Sequence, residues 1–265
     1  MEDNGLRLTV LGSRGSMAVG REDRGLFGGA TSCYMVRAGE ETVFLDAGSG
    51  LLAAPVSFPR PPHILLSHLH LDHLLGLGMY RRLLLEGEQT VIHVPAAQGE
   101  DPAALLDALY SPPYWPLGLR AYRGDVRVLP LALPLKLGEL TVDGMPGSHP
   151  GGCVVMRLGY RGKRLVYATD YEYTEDSFEG LVELSRGADL ILYDGQYTEE
   201  EAMARRGFGH SCPEKGLELL ERSGAKRLRL IHHDPGSADA VLLAREVRLG
   251  RENARFAREG EEILL

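Results

Sequence analysis

The chain has 265 residues, 44% of them apolar and 25% charged, so it can bury a sizeable core and lacks the composition of a disordered protein. No apolar run approaches the roughly 18 to 20 residues of a membrane span, and the segment MEDNGLRLTV has no signal pattern, so we expect a cytoplasmic protein without a membrane partner. A formal charge of −8 argues against broad nonspecific binding of nucleic acid. Three widely spaced cysteines predict neither a disulfide framework nor a thiolate zinc site.

Short β-type runs bounded by Gly, Pro, Asp or Ser recur along the chain. They predict strands at 6–11, 33–37, 42–45, 64–67, 91–94, 126–129, 140–142, 154–158, 165–168, 190–193 and 228–231. Helical patterns lie near 73–85, 102–110, 176–185, 199–206, 213–223 and 238–257. Ser211 and Glu214 have the spacing of a capping box around Pro213, which marks the start of one of these helices.

The order of these elements favours a layered α/β fold. Several strands precede the first long helix, and a hairpin-like pair, 154–158 with 165–168, lies in the second half, so a simple alternating βαβ sheet fits poorly. Two mixed sheets with helices outside fit better. Because no repeat or obvious linker interrupts the pattern, we expect one domain over 1–265.

A cluster of histidines directly follows the apolar run 64–66, in the stretch SHLHLDH. In extended chain His68 and His70 point to the same side and can share one metal. Asp72 and His73 leave in another direction where the chain turns, which suits a second metal. Such ligands are typical of zinc, although manganese or iron can also occupy them. The alternative, a polar strand end with Asp72 capping a helix, explains the cluster less well.

Further ligands are available elsewhere in the chain. His149 follows the turn MPGSHPGG, whereas Asp170 and His232 each follow a predicted strand. Because strand ends converge on one rim in layered α/β folds, these side chains are candidates for the same site.

The ordered set of seven residues resembles the signature of the metallo-β-lactamase superfamily, and the resemblance covers nearly the whole chain. It implies an αββα sandwich with two metals at one edge between the sheets. The first metal would be held by His68, His70 and His149, the second by Asp72, His73 and His232, and Asp170 would bridge them. The resemblance leaves His233 as a neighbour of the ligands, and Asp46 in FLDAGSG is a candidate partner for a ligand histidine.

The branch of the superfamily follows from other stretches. Asp170 stands where class B β-lactamases are expected to have cysteine, which argues against antibiotic hydrolysis. The segments LGSRGS, FLDAGSG and GFGHSCPEKGLELLE resemble the ribonuclease Z-like, phosphodiesterase branch. That branch uses a loop histidine as proton donor, which implies that His210 is catalytic alongside Asp72, while Cys212 stands where threonine is usual. Only 21 positions separate His149 from Asp170, too few for an arm that binds long transfer RNA.

One departure from that branch concerns the partner of His210. Gln196 and Tyr197 replace a His-Glu pair, so the carboxylate that would orient the acid is missing there, and Glu199 or Glu200 are the substitutes that we consider. Arg205 and Arg206 are candidates to receive a phosphate, and a solvated helix end explains both equally well.

The leading hypothesis is a phosphodiesterase with two divalent ions that acts on cyclic nucleotides or short oligonucleotides. A metal-bridging hydroxide would attack phosphorus, and His210 would protonate the leaving group. A thioester or lactone hydrolase resembling glyoxalase II remains an alternative, because it shares the ligand set. A noncatalytic metal-containing sensor or binding protein is the other, and a homodimer is a family-level expectation.

Overall fold

The structure, a computed structural model, describes residues 5–265. Its strands are β1 (Leu6–Gly12), β2 (Cys33–Ala38), β3 (Glu41–Leu45), β4 (His63–Leu65), β5 (Gln89–Val94), β6 (Asp125–Pro130), β7 (Leu135–Leu137), β8 (Leu140–Gly147), β9 (Cys153–Tyr160), β10 (Lys163–Ala168), β11 (Leu190–Asp194), β12 (Leu228–Ile231), β13 (Ala254–Phe256) and β14 (Glu262–Leu264). Its α-helices are α1 (Pro102–Asp107), α2 (Glu175–Leu184), α3 (Glu199–Ala204), α4 (Pro213–Ser223) and α5 (Asp239–Leu249).

Within residues 5–265 the strands form two seven-stranded mixed sheets, in the orders β14-β1-β2-β3-β4-β5-β6 and β13-β12-β11-β10-β9-β8-β7. In the first sheet β3 to β6 run parallel, and in the second β10 to β13 do so. The strands predicted from the sequence coincide with β1 to β6 and β8 to β12. The sequence pattern missed β7, β13 and β14, which have three residues each.

The main core lies between the sheets. Val36 and Leu45 of the first sheet and Leu158 and Leu192 of the second belong to one fully buried apolar cluster. A second cluster covers the outer face of the first sheet with α1 and neighbouring turns. A third packs α2, α4 and α5 on the outer face of the second sheet. The four-layer αββα sandwich expected from the sequence is therefore confirmed.

The helix expected at 73–85 is wrong, because three short 3₁₀ turns occupy this region, at Leu71–His73, Leu77–Met79 and Arg81–Leu84. The loop after β3 takes the backbone groups that an α-helix would need. His73 accepts a hydrogen bond from the N–H of Ala47, and Gly76 donates to the carbonyl of Ala47. These hydrogen bonds hold the segment against the loop after β3, so a regular helix cannot continue through it.

Two other expectations about helices also need correction. The helix at 238–257 ends early, since Gly250 has φ +60° and the chain then enters β13, which pairs with β12. The capping box at Ser211 does not form, because its hydroxyl lies 2.7 Å from the Tyr193 hydroxyl and Cys212 precedes α4. A capping box instead begins α3, between Thr198 and Glu201.

Of the helices within residues 5–265, none is both long and apolar enough to cross a membrane.

Two histidines face one another across β4 and β5, well away from the site described below. Nδ1 of His63 and Nε2 of His93 are 2.9 Å apart, and the rings stack. Burial lowers the pKa of both imidazoles, and for His93 the value falls from 6.5 to about 4, with proximity to His63 as the second cause. Both side chains are therefore held neutral in the folded protein at neutral pH.

This pair predicts an acid-sensitive contribution to stability. Because the folded pKa of His93 lies below its unfolded value, the stabilisation is present above pH 6.5 and is lost as the pH falls to about 4. We expect the difference in unfolding free energy between wild type and H93Q to change by about 3 kcal/mol between pH 7 and pH 4. Urea denaturation with a chelator present measures it, and parallel pH dependence in both proteins would contradict it.

Candidate metal centre

The polar side chains of the site follow strands that end at one edge of the sandwich. Asp46 follows β3, His68 lies three residues beyond β4, and Asp170 and His232 follow β10 and β12. Asp46, Asp170 and His232 have φ values of +60°, +47° and +60°. This left-handed conformation is uncommon outside glycine and costs on the order of 1 kcal/mol or more per residue. It lets the chain turn sharply where each strand ends.

Three imidazoles and one carboxylate form a first group, made up of His68, His70, His149 and Asp170. Their candidate ligand atoms all lie within 4.8 Å of one another. Nε2 of His149 is 3.0 Å from Nδ1 of His70 and 3.7 Å from Oδ2 of Asp170. Nε2 of His68 is 3.6 Å from the same carboxylate oxygen. The two histidines of the His-x-His pair do face one side, as expected from extended chain.

A second group adjoins the first and contains Asp72, His73, Asp170 and His232. Nε2 of His73 is 3.2 Å from Oδ2 of Asp72, and Nε2 of His232 is 3.1 Å from the same atom. Both nitrogens lie 3.1–3.3 Å from Oδ1 of Asp170. The Asp170 carboxylate is thus shared, with Oδ2 directed at the first group and Oδ1 at the second.

Asp46 lies behind the second group and fixes the orientation of His73. Its Oδ2 accepts hydrogen bonds from Nδ1 of His73 at 2.7 Å, from the Tyr167 hydroxyl at 2.6 Å and from the Ser67 hydroxyl at 2.7 Å. Its Oδ1 accepts from the Ser67 N–H at 2.6 Å. With Nδ1 of His73 engaged, Nε2 is directed into the site. The expectation that Asp46 bonds to a candidate ligand histidine is borne out by this geometry.

The other imidazoles are oriented in the same way. Nδ1 of His68 lies 3.0 Å from the Ser67 hydroxyl. Nδ1 of His149 donates to the Gly209 carbonyl at 2.9 Å, and Nδ1 of His232 to Oε1 of Gln196 at 2.6 Å. In each case Nε2 is left for the site. Gln196, which stands where the resembling branch has the histidine of its His-Glu pair, therefore supports a candidate ligand.

The LGSRGS segment packs directly against the second group. A side chain at Gly15 would meet Nδ1 of His232 at 2.3 Å, so only glycine fits there. The backbone N–H of Ser16 donates to Oδ2 of Asp72 at 2.7 Å. The segment thus holds a candidate ligand from each of two distant parts of the chain.

The protonation states suit cation binding. Burial lowers the pKa of His68 and of His149, with the first shifted further, so both are neutral at pH 7. Burial opposes ionisation of Asp170, but His232 and His73 outweigh it and hold the pKa of Asp170 well below its usual range. Burial likewise disfavours charged His232, yet Asp170 and Asp72 raise its pKa to about 9. A cation that binds the second group would displace a proton from this ring.

Two observations test whether the residues fit metal ions. Nε2 of His68 is buried and has no hydrogen-bond partner among the described residues, which is costly unless something else binds it. Nε2 of His73 lies 3.1–3.2 Å from carboxylate oxygens of Asp170 and Asp72 but lacks the geometry of a hydrogen bond. Each group also presents four donors of the nitrogen and carboxylate type that zinc and related divalent ions prefer. The donor set therefore fits a divalent ion in each group.

His210 lies at the border of the site, beside a carboxylate that sequence reasoning missed. Nδ1 of His210 is 2.9 Å from Oδ2 of Asp194, which is fully buried at the end of β11, and 4.0 Å from Oδ2 of Asp170. The carboxylate beside His210 is neither Glu199 nor Glu200, the substitutes considered from the sequence, but Asp194, two residues before Gln196. The signal was its position, since Asp170 and His232 also follow parallel strands of this sheet.

The remaining candidates lie around this core. Arg205 lies over the Tyr197 ring, 4.9 Å from its centroid. Arg206 lines a cavity of about 470 Å³ that also includes His210. His233 turns away from both groups and donates from Nε2 to the Ala257 carbonyl at 2.8 Å. Its imidazole packs between two phenylalanines and supports the loop rather than a ligand.

Comparison with known proteins places the site in a family. A family model described as "Beta-lactamase superfamily domain" matches residues 41–233, which include all seven candidate ligands. The chain belongs to the beta-lactamase superfamily. Within this superfamily the probable metallo-hydrolase YhfI of Bacillus subtilis (strain 168) is 26% identical over 238 residues, 86% of each chain. A ribonuclease Z of Halorubrum lacusprofundi is 25% identical, with 92% of this chain and 91% of the relative covered.

Solved structures of the superfamily agree on the fold. The crystal structure of YhfI matches with a TM-score of 0.76 at 19% identity, over 99% of this chain and 100% of that one. A diphosphatase from the PhnP family matches with a TM-score of 0.71 at 19% identity, over 97% of each chain. The chain is thus similar in sequence to a probable metallo-hydrolase and a ribonuclease Z, and similar in fold to a diphosphatase.

The contacts of Asp46 predict a loss of metal affinity in D46N. The variant keeps the size of the side chain but removes the charge that accepts from Nδ1 of His73, so the imidazole is less well oriented. We expect zinc affinity to fall about 10- to 100-fold, measured by competition with a chromophoric chelator. D143N, which changes an aspartate at the surface, is the matched control, and equal affinities in both variants would contradict the prediction.

Proposed function

We propose that this superfamily member is a single-domain phosphodiesterase that uses two divalent cations. The observation that carries the proposal is the Asp194–His210 pair, which borders the shared carboxylate of Asp170. An alkoxide leaving from phosphorus needs a proton, whereas a thiolate leaving from a thioester is stable near its pKa of about 8.5 and needs none. A proton donor held in place by Asp194 therefore favours phosphodiester over thioester hydrolysis.

The cations would be held by the two groups, His68, His70 and His149 in one, Asp72, His73 and His232 in the other, with Asp170 shared. Two such ions, for which the imidazole-rich set favours zinc, supply Lewis acidity at a phosphoryl oxygen and hydroxide near neutral pH. Asp72 and Asp170 contribute negative charge that offsets the cations. Asp46 and Gln196 keep the imidazoles in the tautomer that binds a cation.

The proton donor, His210, acts on the leaving oxygen rather than on the attacking water. With Nδ1 of His210 held by Asp194, Nε2 is the ring nitrogen left to carry the transferred proton. Water gives one proton to solvent and its oxygen becomes bonded to phosphorus, while the bond from phosphorus to the leaving oxygen breaks. The leaving oxygen takes a proton from His210, which then regains one from solvent. The Tyr197 ring contacts His210 edge-on and limits its movement.

The size of the substrate follows from the segment between His149 and Asp170. A hairpin of β9 and β10 fills it, and these strands pair over Tyr160 to Met156 inside the second sheet. No described residue of that interval protrudes as an arm. This supports a small phosphodiester, such as a cyclic nucleotide or short oligonucleotide, over long transfer RNA. The names of two relatives, ribonuclease Z and a diphosphatase, are in keeping with phosphoryl chemistry.

A substrate panel tests the proposal. Protein loaded with zinc, manganese or iron is assayed with bis-p-nitrophenyl phosphate, a cyclic nucleotide and a glutathione thioester. We expect turnover of the phosphodiesters that chelation abolishes and metal restores. Turnover of the thioester alone would replace the proposal by a thioesterase, and full metal content without any turnover would favour a sensor or binding protein.

The two groups predict a metal content of two ions per chain. H149A removes a donor of the first group only, and H232A removes a donor of the second only. We expect each variant to retain one tightly bound ion, measured by elemental analysis after dialysis against a weak chelator. H63A, which lies outside both groups, serves as control and should retain two. Loss of both ions in each variant would show one cooperative site rather than two separable ones.

His210 predicts a dependence on the leaving group. We expect H210A to lower kcat about 10²- to 10⁴-fold for a cyclic nucleotide, whose alkoxide needs a proton, and only a few-fold for a p-nitrophenyl ester. D194N should show the same pattern more weakly, because it disturbs only the orientation of the ring. Metal content is measured in parallel. An equal loss with both leaving groups would mean that His210 acts in binding rather than in proton transfer.

A further inference from the structure

Two cavities flank the candidate metal centre, and the turn at His149 separates them. The His210 cavity, of about 470 Å³, contains His210, Arg206 and Lys215. The His70 cavity, of about 530 Å³, contains His68, His70 and Pro150. The His149 ring contacts the rings of His68 and His70 on one side, with centroids 4.8 Å apart, and the ring of His210 on the other at 5.4 Å.

The close contact at Gly209 keeps this partition in place. A side chain there would meet Nδ1 of His149 at 2.0 Å and Cδ of Pro150 at 2.5 Å, so the loop before His210 lies directly against the turn. The Glu172 carboxylate holds that loop by accepting from the N–H groups of Gly207 and Gly209. A substrate bound at the centre therefore meets two spaces that do not merge through the turn.

The position of the proton donor assigns the leaving group to one of these spaces. On the proposed function, the leaving oxygen must lie beside His210, so the leaving group extends into the His210 cavity. The other organic substituent on phosphorus must leave the centre by another route. The His70 cavity is such a route, since it reaches two ligands of the first group from the far side of His149.

The lining of the His70 cavity limits what this substituent can be. Away from the two histidines, its lining includes four half-buried aliphatic side chains: Leu69, Leu105, Leu131 and Val154. None of the described residues that line it is lysine or arginine, and its one carboxylate, Glu100, accepts from the Ala97 N–H at 2.7 Å. A further phosphate placed here would meet a negative charge with no lysine or arginine to offset it. The His210 cavity, in contrast, has two basic side chains, Arg206 and Lys215, although three carboxylates also line it, those of Glu172, Glu175 and Glu199.

We infer that the substrate is a small phosphodiester whose non-leaving substituent is uncharged and largely apolar and occupies the His70 cavity. The inference rests on the proposed function and narrows it to acyclic diesters. Both ester oxygens of a cyclic nucleotide belong to one nucleoside, which cannot occupy two cavities that the His149 turn separates. An oligonucleotide that carries another phosphate on its non-leaving side is excluded as a good substrate. The volume of about 530 Å³ is within the usual range of small-molecule sites and accepts a phenyl ring or an uncharged nucleoside.

The test uses metal-loaded protein and two pairs of esters that share the p-nitrophenolate leaving group. The first pair is phenyl and methyl p-nitrophenyl phosphate, and the second is thymidine 5′-(p-nitrophenyl phosphate) with and without a 3′-phosphate. We expect kcat/KM to be about ten-fold or more higher for the phenyl ester than for the methyl ester. We also expect the 3′-phosphate to lower kcat/KM by a similar factor.

Two variants locate these effects in the cavity. L105A should reduce the ratio of kcat/KM for the phenyl ester to that for the methyl ester about three- to ten-fold, because it removes apolar contact area. A97K, at an exposed position, should relieve the penalty of the 3′-phosphate roughly three- to ten-fold, and A97Q is the uncharged control. Equal kcat/KM within each pair of esters in the wild type would overturn the inference and leave the proposed function intact.

A binding measurement distinguishes a failure of the proposed function from a failure of the inference about the His70 cavity. If no diester is hydrolysed, the proposed function fails, and calorimetric titration with diphenyl phosphate and dimethyl phosphate then examines the cavity alone. Tighter binding of diphenyl phosphate that L105A abolishes would uphold the apolar cavity without the enzyme. Equal binding of both compounds would overturn that assignment as well.

Discussion

The carboxylate of Asp170 is the contact on which the candidate site depends, because each of its oxygens faces a different group of imidazoles. The histidines of the heptad come from the first sheet, whereas Asp170 and His232 come from the second. The two sets therefore meet only if the sheets pack at the correct separation. The apolar core between them sets that separation, so packing far from the site determines distances within it.

Burying so much charge at one edge requires compensation. Asp46, Asp170 and Asp194 are each at most 1% exposed, and a buried carboxylate without partners is strongly destabilising. Asp46 obtains four hydrogen bonds from protein groups, whereas Asp170 faces mainly imidazole nitrogens. The Asp46 carboxylate is stabilised by the fold alone. The Asp170 carboxylate is stabilised by imidazolium or by a cation, which couples the stability of the fold to occupancy of the site.

The sequence predicted the residues that come together better than the backbone that carries them. The heptad, His149, Asp170 and His232 were identifiable because ligand types clustered at strand ends. The 3₁₀ turns at 71–84 were not, because their backbone bonds to Ala47 depend on a distant loop. Asp194 was also missed, since its role appears only when β11 lies between β10 and β12 and brings its end to His210. Contacts across neighbouring parallel strands carry no local pattern.

The two groups of candidate ligands differ in their exposure to solvent. His73 and His232 are fully buried, whereas His70 is exposed and His149 and His210 are partly so. The second group is thus closed by the LGSRGS segment, with Ser16 bonded to Asp72, and a substrate can approach only from the side of the first group. The His70 cavity contains residues of that group, whereas His210, which lines the other cavity, stacks on the His232 ring with centroids 4.8 Å apart. On the proposed function, a diester bound at the centre would therefore be oriented by the fold before its substituents make specific contacts.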